Sequence, residues 1–159
     1  MRSDVSDNEG SIGVISDTHG LVRPEVMAIF RDVSIIVHAG DIGGMNVLKS
    51  LETIAPVTAV RGNVDSGQVA VFLNETETFE FGTFKFHVLH DLARLSLVPA
   101  ACGIHMVISG HTHLPDVRTD NGVTYLNPGS AGPKRLDRSI SLAKIIVQKG
   151  RLRVSQFNL

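Results

Sequence analysis

Five short stretches place nitrogen and oxygen donors at close spacing: Asp17-Thr18-His19, Gly40-Asp41, Gly62-Asn63, His90 and Gly110-His111-Thr112-His113. Imidazole, carboxylate and amide groups without a thiolate disfavour a structural zinc site. Seven such donors are too many for one tetrahedral ion and suit two ions that share a bridging carboxylate. Gly110-His111-Thr112-His113 is the most telling piece alone, because two imidazoles bracketing one residue after a Gly rarely serve a core. Taken singly, the others have ordinary explanations. Asp17 could be turn chemistry, Asp41 a helix N-cap, Gly62-Asn63 a turn, and His90 a strand-end histidine bonded to backbone. Their joint occurrence, each where an apolar run stops, points to one site.

The elements that must position these donors are legible in outline. Residues 12–16 form a short apolar run that suits a strand buried on both faces, and it ends at Asp17. Apolar residues at 22, 26, 29 and 30 predict a helix over 22–31, with Pro24 tolerated in its first turn. A second strand over 34–38 closes on Asp41, a helix follows over about 44–52, and a third strand over 56–60 closes on Asn63. Such alternation implies a parallel sheet, and in open α/β sheets ligands bind outside the carboxyl ends of the strands. Alternating segments over 78–81 and 83–89 flank Gly82 and read as a hairpin. A helix is expected over 92–101 with Asp91 as its N-cap. Strand patterns then recur over 105–109, 116–119, 123–127, 139–147 and 152–157. We expect a flexible tail over 1–11 and one domain over 12–159.

Composition narrows the function class. The 159 residues are 43% hydrophobic, enough for one well-packed core and far from a disordered composition. A net charge of −1 and no clustered basic stripe argue against a dedicated nucleic-acid surface. No apolar h-region or membrane-length run is present, and Cys102 is the lone cysteine, so a cytoplasmic protein without a membrane partner is expected. There is no phosphate-binding P-loop or dinucleotide fingerprint. Among the seven histidines, His38, His87 and His105 lie within strands and read as structural, and Cys102 reads as a small buried hydrophobe. The phenylalanines at 72, 79, 81, 84 and 86 are assigned to the core or to a subunit contact, leaving a homo-oligomer open.

The ordered blocks D-x-H, G-D, G-N, H and G-H-x-H resemble those of the calcineurin-like metallophosphoesterase superfamily. Asn127-Pro128-Gly129-Ser130, and Pro115 after the last block, resemble the small YfcE-type phosphodiesterase branch. The resemblance implies an α/β fold, a four-layer α/β/β/α sandwich of two mixed sheets. It implies that Asp17, His19, Asp41 and His113 hold one divalent ion, that Asp41 bridges, and that Asn63, His90 and His111 complete a second. Manganese is the first choice, with iron, nickel, cobalt or zinc open. The activity implied is hydrolysis of a small phosphodiester by a metal-bridging hydroxide, with Asp41, Asn63 and His111 as catalytic residues and Asn63 also touching substrate. A phosphomonoesterase on the same site is the alternative, as is a non-catalytic protein-binding scaffold like the retromer subunit of this fold. Val64 stands where larger relatives carry a proton-donating His, so Asp65 is a candidate for that role. Asp91 stands where the branch carries Gly, and Arg135 is a candidate for steering phosphate.

Overall fold

The apolar runs of the first half assemble in parallel. In the computed structural model, which describes residues 9–159, β1 (Gly10–Ile15), β2 (Ile35–His38) and β3 (Val57–Ala59) pair side by side in register Ile12 with Ile35 and Ile36 with Val57. Of the tail expected over 1–11, positions 1–8 lie outside the described residues. Positions 10 and 11 are corrected to strand, because they pair with Val147 and Ile146 of a later strand. Helices α1 (Pro24–Ile29) and α2 (Met45–Glu52) fill the crossovers as predicted, α1 with Pro at its first turn and α2 burying Val47, Leu48 and Leu51. A third helix, α3 (Gly67–Phe72), has no counterpart in the sequence reading; six residues with one buried side chain, Val69, leave no periodic pattern.

The second half continues with β4 (Thr76–Phe81) and β5 (Phe84–Leu89), the expected hairpin, then β6 (Met106–Ile108), β7 (Asp116–Asp120), β8 (Val123–Asn127), β9 (Ser141–Gln148) and β10 (Arg151–Asn158). Two five-stranded mixed sheets result. Their orders are β10-β9-β1-β2-β3 and β4-β5-β6-β8-β7, with β5, β6 and β8 parallel in the second. Strand alternation divides the side chains between layers. Ile12, Val14, Ala143 and Ile145 of the first sheet meet Phe86, Val88, Met106 and Ile108 of the second between the sheets. Ile15, Ile36 and Leu142 point the other way, under the helices with Val26, Phe30 and Leu51.

The outer face of the second sheet carries a smaller core of Leu89, Ile104, Val107 and Val123. The helix expected over 92–101 is not what covers it. Two one-turn 3-10 segments, Leu92–Arg94 and Ala100–Cys102, take its place. Pro99 disfavours helical backbone at the residue before it. Leu92, Leu95 and Leu97, all packed on this core, are spaced for an irregular path. Asp91 does cap the first segment, accepting from the Ala93 amide at 3.0 Å. Cys102 is exposed there, correcting its expected burial. The architecture is therefore an α/β sandwich of two mixed sheets whose fourth layer is thin. Among the described residues no helix is long and apolar enough to cross a membrane.

Candidate metal centre

Every donor block lies just past the carboxyl end of a parallel strand: Asp17 and His19 after β1, Asp41 after β2, Asn63 after β3, His90 after β5, His111 and His113 after β6. Both sheets turn these ends toward one spot. One carboxylate oxygen of Asp17, Oδ1, lies 3.2 Å from His113 Nε2 and 3.9 Å from His90 Nε2. Asp41 Oδ2 lies 3.2 Å from His90 Nε2 and 4.0 Å from His19 Nε2. Two overlapping ligand groups can be drawn, Asp17 with His19 and His113, and Asp17 with Asp41 and His90. His111 and Asn63 sit beside the second group. Their Nδ1 and Oδ1 atoms are 3.2 Å apart, and the His111 ring stands edge-on to His90 at 5.2 Å.

The backbone is bent to achieve this. Among the described residues seven non-glycine residues have left-handed φ, and Asp17, His19, Asp41, His111 and His113 are five of them. Each costs of order 1 kcal/mol or more relative to an ordinary conformation. Glycines allow the loops to touch. A Cβ at Gly62 would collide with the Asp41 carboxylate, and one at Gly110 with the Ser16 hydroxyl, its nearest atom, and with Asp17 Oδ2 at 2.7 Å.

Surrounding hydrogen bonds fix the donors. Ser16 Oγ and the His111 amide both donate to Asp17 Oδ2, leaving Oδ1 free. His90 Nδ1 bonds the Ala39 carbonyl at 2.7 Å, which turns Nε2 into the site. The Val64 amide donates to Asp41 Oδ1 at 3.1 Å. The residues fit a bound cation, because Asp17 Oδ1, His19 Nε2 and His90 Nε2 are buried atoms with no hydrogen-bond partner. Orphans of this kind are costly unless something else satisfies them. Burial pushes the Asp17 carboxyl above its ordinary range. Burial also acts on Asp41, yet His90, the Val64 amide and His19 outweigh it and hold that carboxyl low. Burial pulls His90 down, but the Asp41 carboxylate and the Ala39 carbonyl raise it overall. His113 is lowered, chiefly by burial.

The remaining candidates divide. Asp65 is not a free carboxylate facing the site. It accepts from the Ile42, Gly43 and Gly62 amides at 2.8–3.2 Å and ties the loop after β2 to the loop after β3. Arg135 is exposed, and its charge is felt at His113. His38 is buried as expected, but His105 is exposed, its Nδ1 accepting from the Lys85 amide. Sequence patterning missed the braces. Asn127, at the end of β8, donates to the Gly110 carbonyl and to Thr112 Oγ1 and accepts from the Gly129 amide. Ser130 Oγ donates to the Asp17 carbonyl. The position of Asn127 at a parallel strand end was the available signal.

A family model, the calcineurin-like phosphoesterase superfamily domain, matches residues 11–150. The chain belongs to that superfamily. A probable metallophosphoesterase of Methanothermobacter thermautotrophicus is 38% identical over an alignment of 151 positions that covers 87% of this chain and 87% of the relative. Solved structures share the fold of this superfamily member at lower identity. An archaeal phosphodiesterase superposes with a TM-score of 0.77 at 24% identity, over 92% of this chain and 99% of the other. Vacuolar Protein Sorting 29 from Cryptosporidium parvum superposes with a TM-score of 0.73 at 18% identity, over 96% and 99%.

Proposed function

We propose that the chain is a two-metal phosphodiesterase acting on a small phosphodiester. The observation that carries this reading is the set of buried, partnerless ligand atoms on Asp17, His19 and His90. In a family of phosphoesterases, such atoms find their partner in a divalent cation. Asp17, His19, Asp41 and His113 would hold one ion and Asn63, His90 and His111 a second, with Asp41 shared between them. Asp41 Oδ2 stands within 4.0 Å of imidazoles from both sets, as sharing requires. Two such ions, manganese by preference, would supply an activated water and neutralise charge on the phosphoryl group.

The protein's own part is positioning. Asn63 and His111 face the second group from the solvent side and orient the phosphoryl oxygens, and Arg135 draws the anion in. Proton donation to the leaving group is not built in: Val64 has no proton to give, and the Asp65 carboxylate is held by three amides. Leaving groups of low pKa are therefore favoured. A cytoplasmic location keeps the exposed Cys102 thiol reduced.

The test is to strip the protein of metal, add manganese, and assay bis(p-nitrophenyl) phosphate beside p-nitrophenyl phosphate. Manganese-dependent turnover with the diester preferred supports the reading. A monoester preference assigns the alternative ester class, and metal binding with no turnover of either ester assigns the scaffold role.

A further inference from the structure

A cleft of about 600 Å³ opens from the Asn63, His90 and His111 side of the metal centre. That volume suits a small-molecule substrate arm. Its lining also draws on the loop after β3, the start of β4 and the segment after β5, and includes two arginines, Arg61 and Arg94. Their situations differ. The Arg61 guanidinium is spent on the protein. It donates to the carbonyls of Ala70 and Leu73 at 2.8 and 3.2 Å and reaches Glu75 at 3.4 Å. The Arg94 side chain makes no ion pair or hydrogen bond with any described residue. The two carboxylates in the cleft are both engaged elsewhere. Glu75 faces Arg61, while Asp91 caps Ala93 through Oδ1 and lies 4.0 Å from His111 Nε2 through Oδ2. Thr76 and Ser96 add hydroxyls to the lining.

A guanidinium with all its donors free, lining the same cleft as two hydroxyls and the Asn63, His90 and His111 side of the metal centre, is suited to bidentate capture of a tetrahedral anion. We propose that this cleft is a subsite for a second phosphate group on the substrate, bound by Arg94. The favoured substrates would be phosphodiesters whose non-reacting arm ends in a phosphate. The proposal builds on the phosphodiesterase reading and deepens it.

Two esters separate the possibilities because they differ only in that group: the 5′-p-nitrophenyl ester of thymidine 5′-phosphate, with and without a 3′-phosphate. The manganese-loaded wild type is expected to prefer the 3′-phosphorylated ester by about tenfold in kcat/KM, the worth of one charge-assisted contact. Arg94→Gln should bring that ratio to near one, the loss falling on KM. Arg153→Gln, on a remote strand, should leave the ratio intact. Binding of thymidine 3′,5′-bisphosphate, followed calorimetrically on manganese-loaded protein, gives a readout independent of turnover, and Arg94→Gln should weaken it about tenfold. If neither ester turns over but bisphosphate binding still depends on Arg94, the phosphodiesterase reading fails and the subsite stands. If the esters turn over and Arg94→Gln alters neither the ratio nor the binding, the subsite is overturned.

Discussion

Asp17 concentrates the chemistry of the site at one atom. Its Oδ2 is satisfied by Ser16 and the His111 amide, while Oδ1 is buried with histidines at 3.2 and 3.9 Å and no hydrogen bond. Removing the charge but keeping the shape isolates that atom's role. Asp17→Asn is expected to lower bound manganese by at least one ion per chain and manganese-dependent turnover by at least about a hundredfold. Elemental analysis of the loaded protein and diester assays check both. Asp65 predicts a different pattern. With three amides on its carboxylate, Asp65→Ala should cost about 2–3 kcal/mol in denaturant unfolding, because those donors are left unpaired between two loops. A variant that lost only turnover, with unchanged stability, would return Asp65 to a proton-donating role.

Among the elements, the loops past the parallel strands matter more than the strands themselves. Asn127 closes β8 by holding the Gly110 carbonyl and Thr112 hydroxyl, and so holds the loop that carries His111 and His113. Asn127→Ala should cost about 2 kcal/mol of stability and also weaken manganese binding, although the residue faces no ligand position. Titrating manganese into the variant tests this. The clustering of these polar side chains was readable in the sequence because each follows the end of an apolar run, and a run buried on both faces has no other pattern. Helices α1 and α2 were readable because Val26 with Phe30, and Val47, Leu48 and Leu51, recur at helical spacing. The 92–102 segment was not, because its leucines answer to the sheet beneath them and Pro99 breaks the helix their composition favours. Nor was Arg94, whose meaning comes only from a cleft built by three separate elements. Of the candidate centre, the side chains that come together were legible. The left-handed backbone and the Asp65 and Asn127 braces were not, since they are properties of loops meeting in space.

At the scale of the molecule, acid should act through His38. The Gly40 amide donates to its Nδ1 and its Nε2 faces Thr18 Oγ1, whose own proton goes to the Ile42 carbonyl. That chain needs a neutral ring with hydrogen on Nε2, and complete burial pushes the pKa down to about 3. The unfolded chain takes up the proton near the ordinary value of about 6.5. Stability from this group is therefore full above that pH and is lost progressively as pH falls toward 3, by up to about 1.4 kcal/mol per pH unit. In metal-free protein, His38→Gln should flatten the acid limb of the stability curve, as measured by denaturant melts between those values.

The proposed ligands also come from both halves of the sandwich. Asp17, His19, Asp41 and Asn63 follow strands of the first sheet, whereas His90, His111 and His113 follow strands of the second. A cation held by both sets would add a cross-link between sheets that otherwise meet through apolar packing and a few hydrogen bonds, such as those of His90 to the Ala39 carbonyl and of the His111 amide to Asp17, and parting them would first have to break metal–ligand bonds. Metal occupancy should then lengthen the native lifetime. Manganese-loaded protein is expected to unfold in denaturant at least about tenfold more slowly than stripped protein, with the refolding rate changed far less. The centre would thus act as a clasp, and the resistance of the chain to proteolysis would track the supply of its metal.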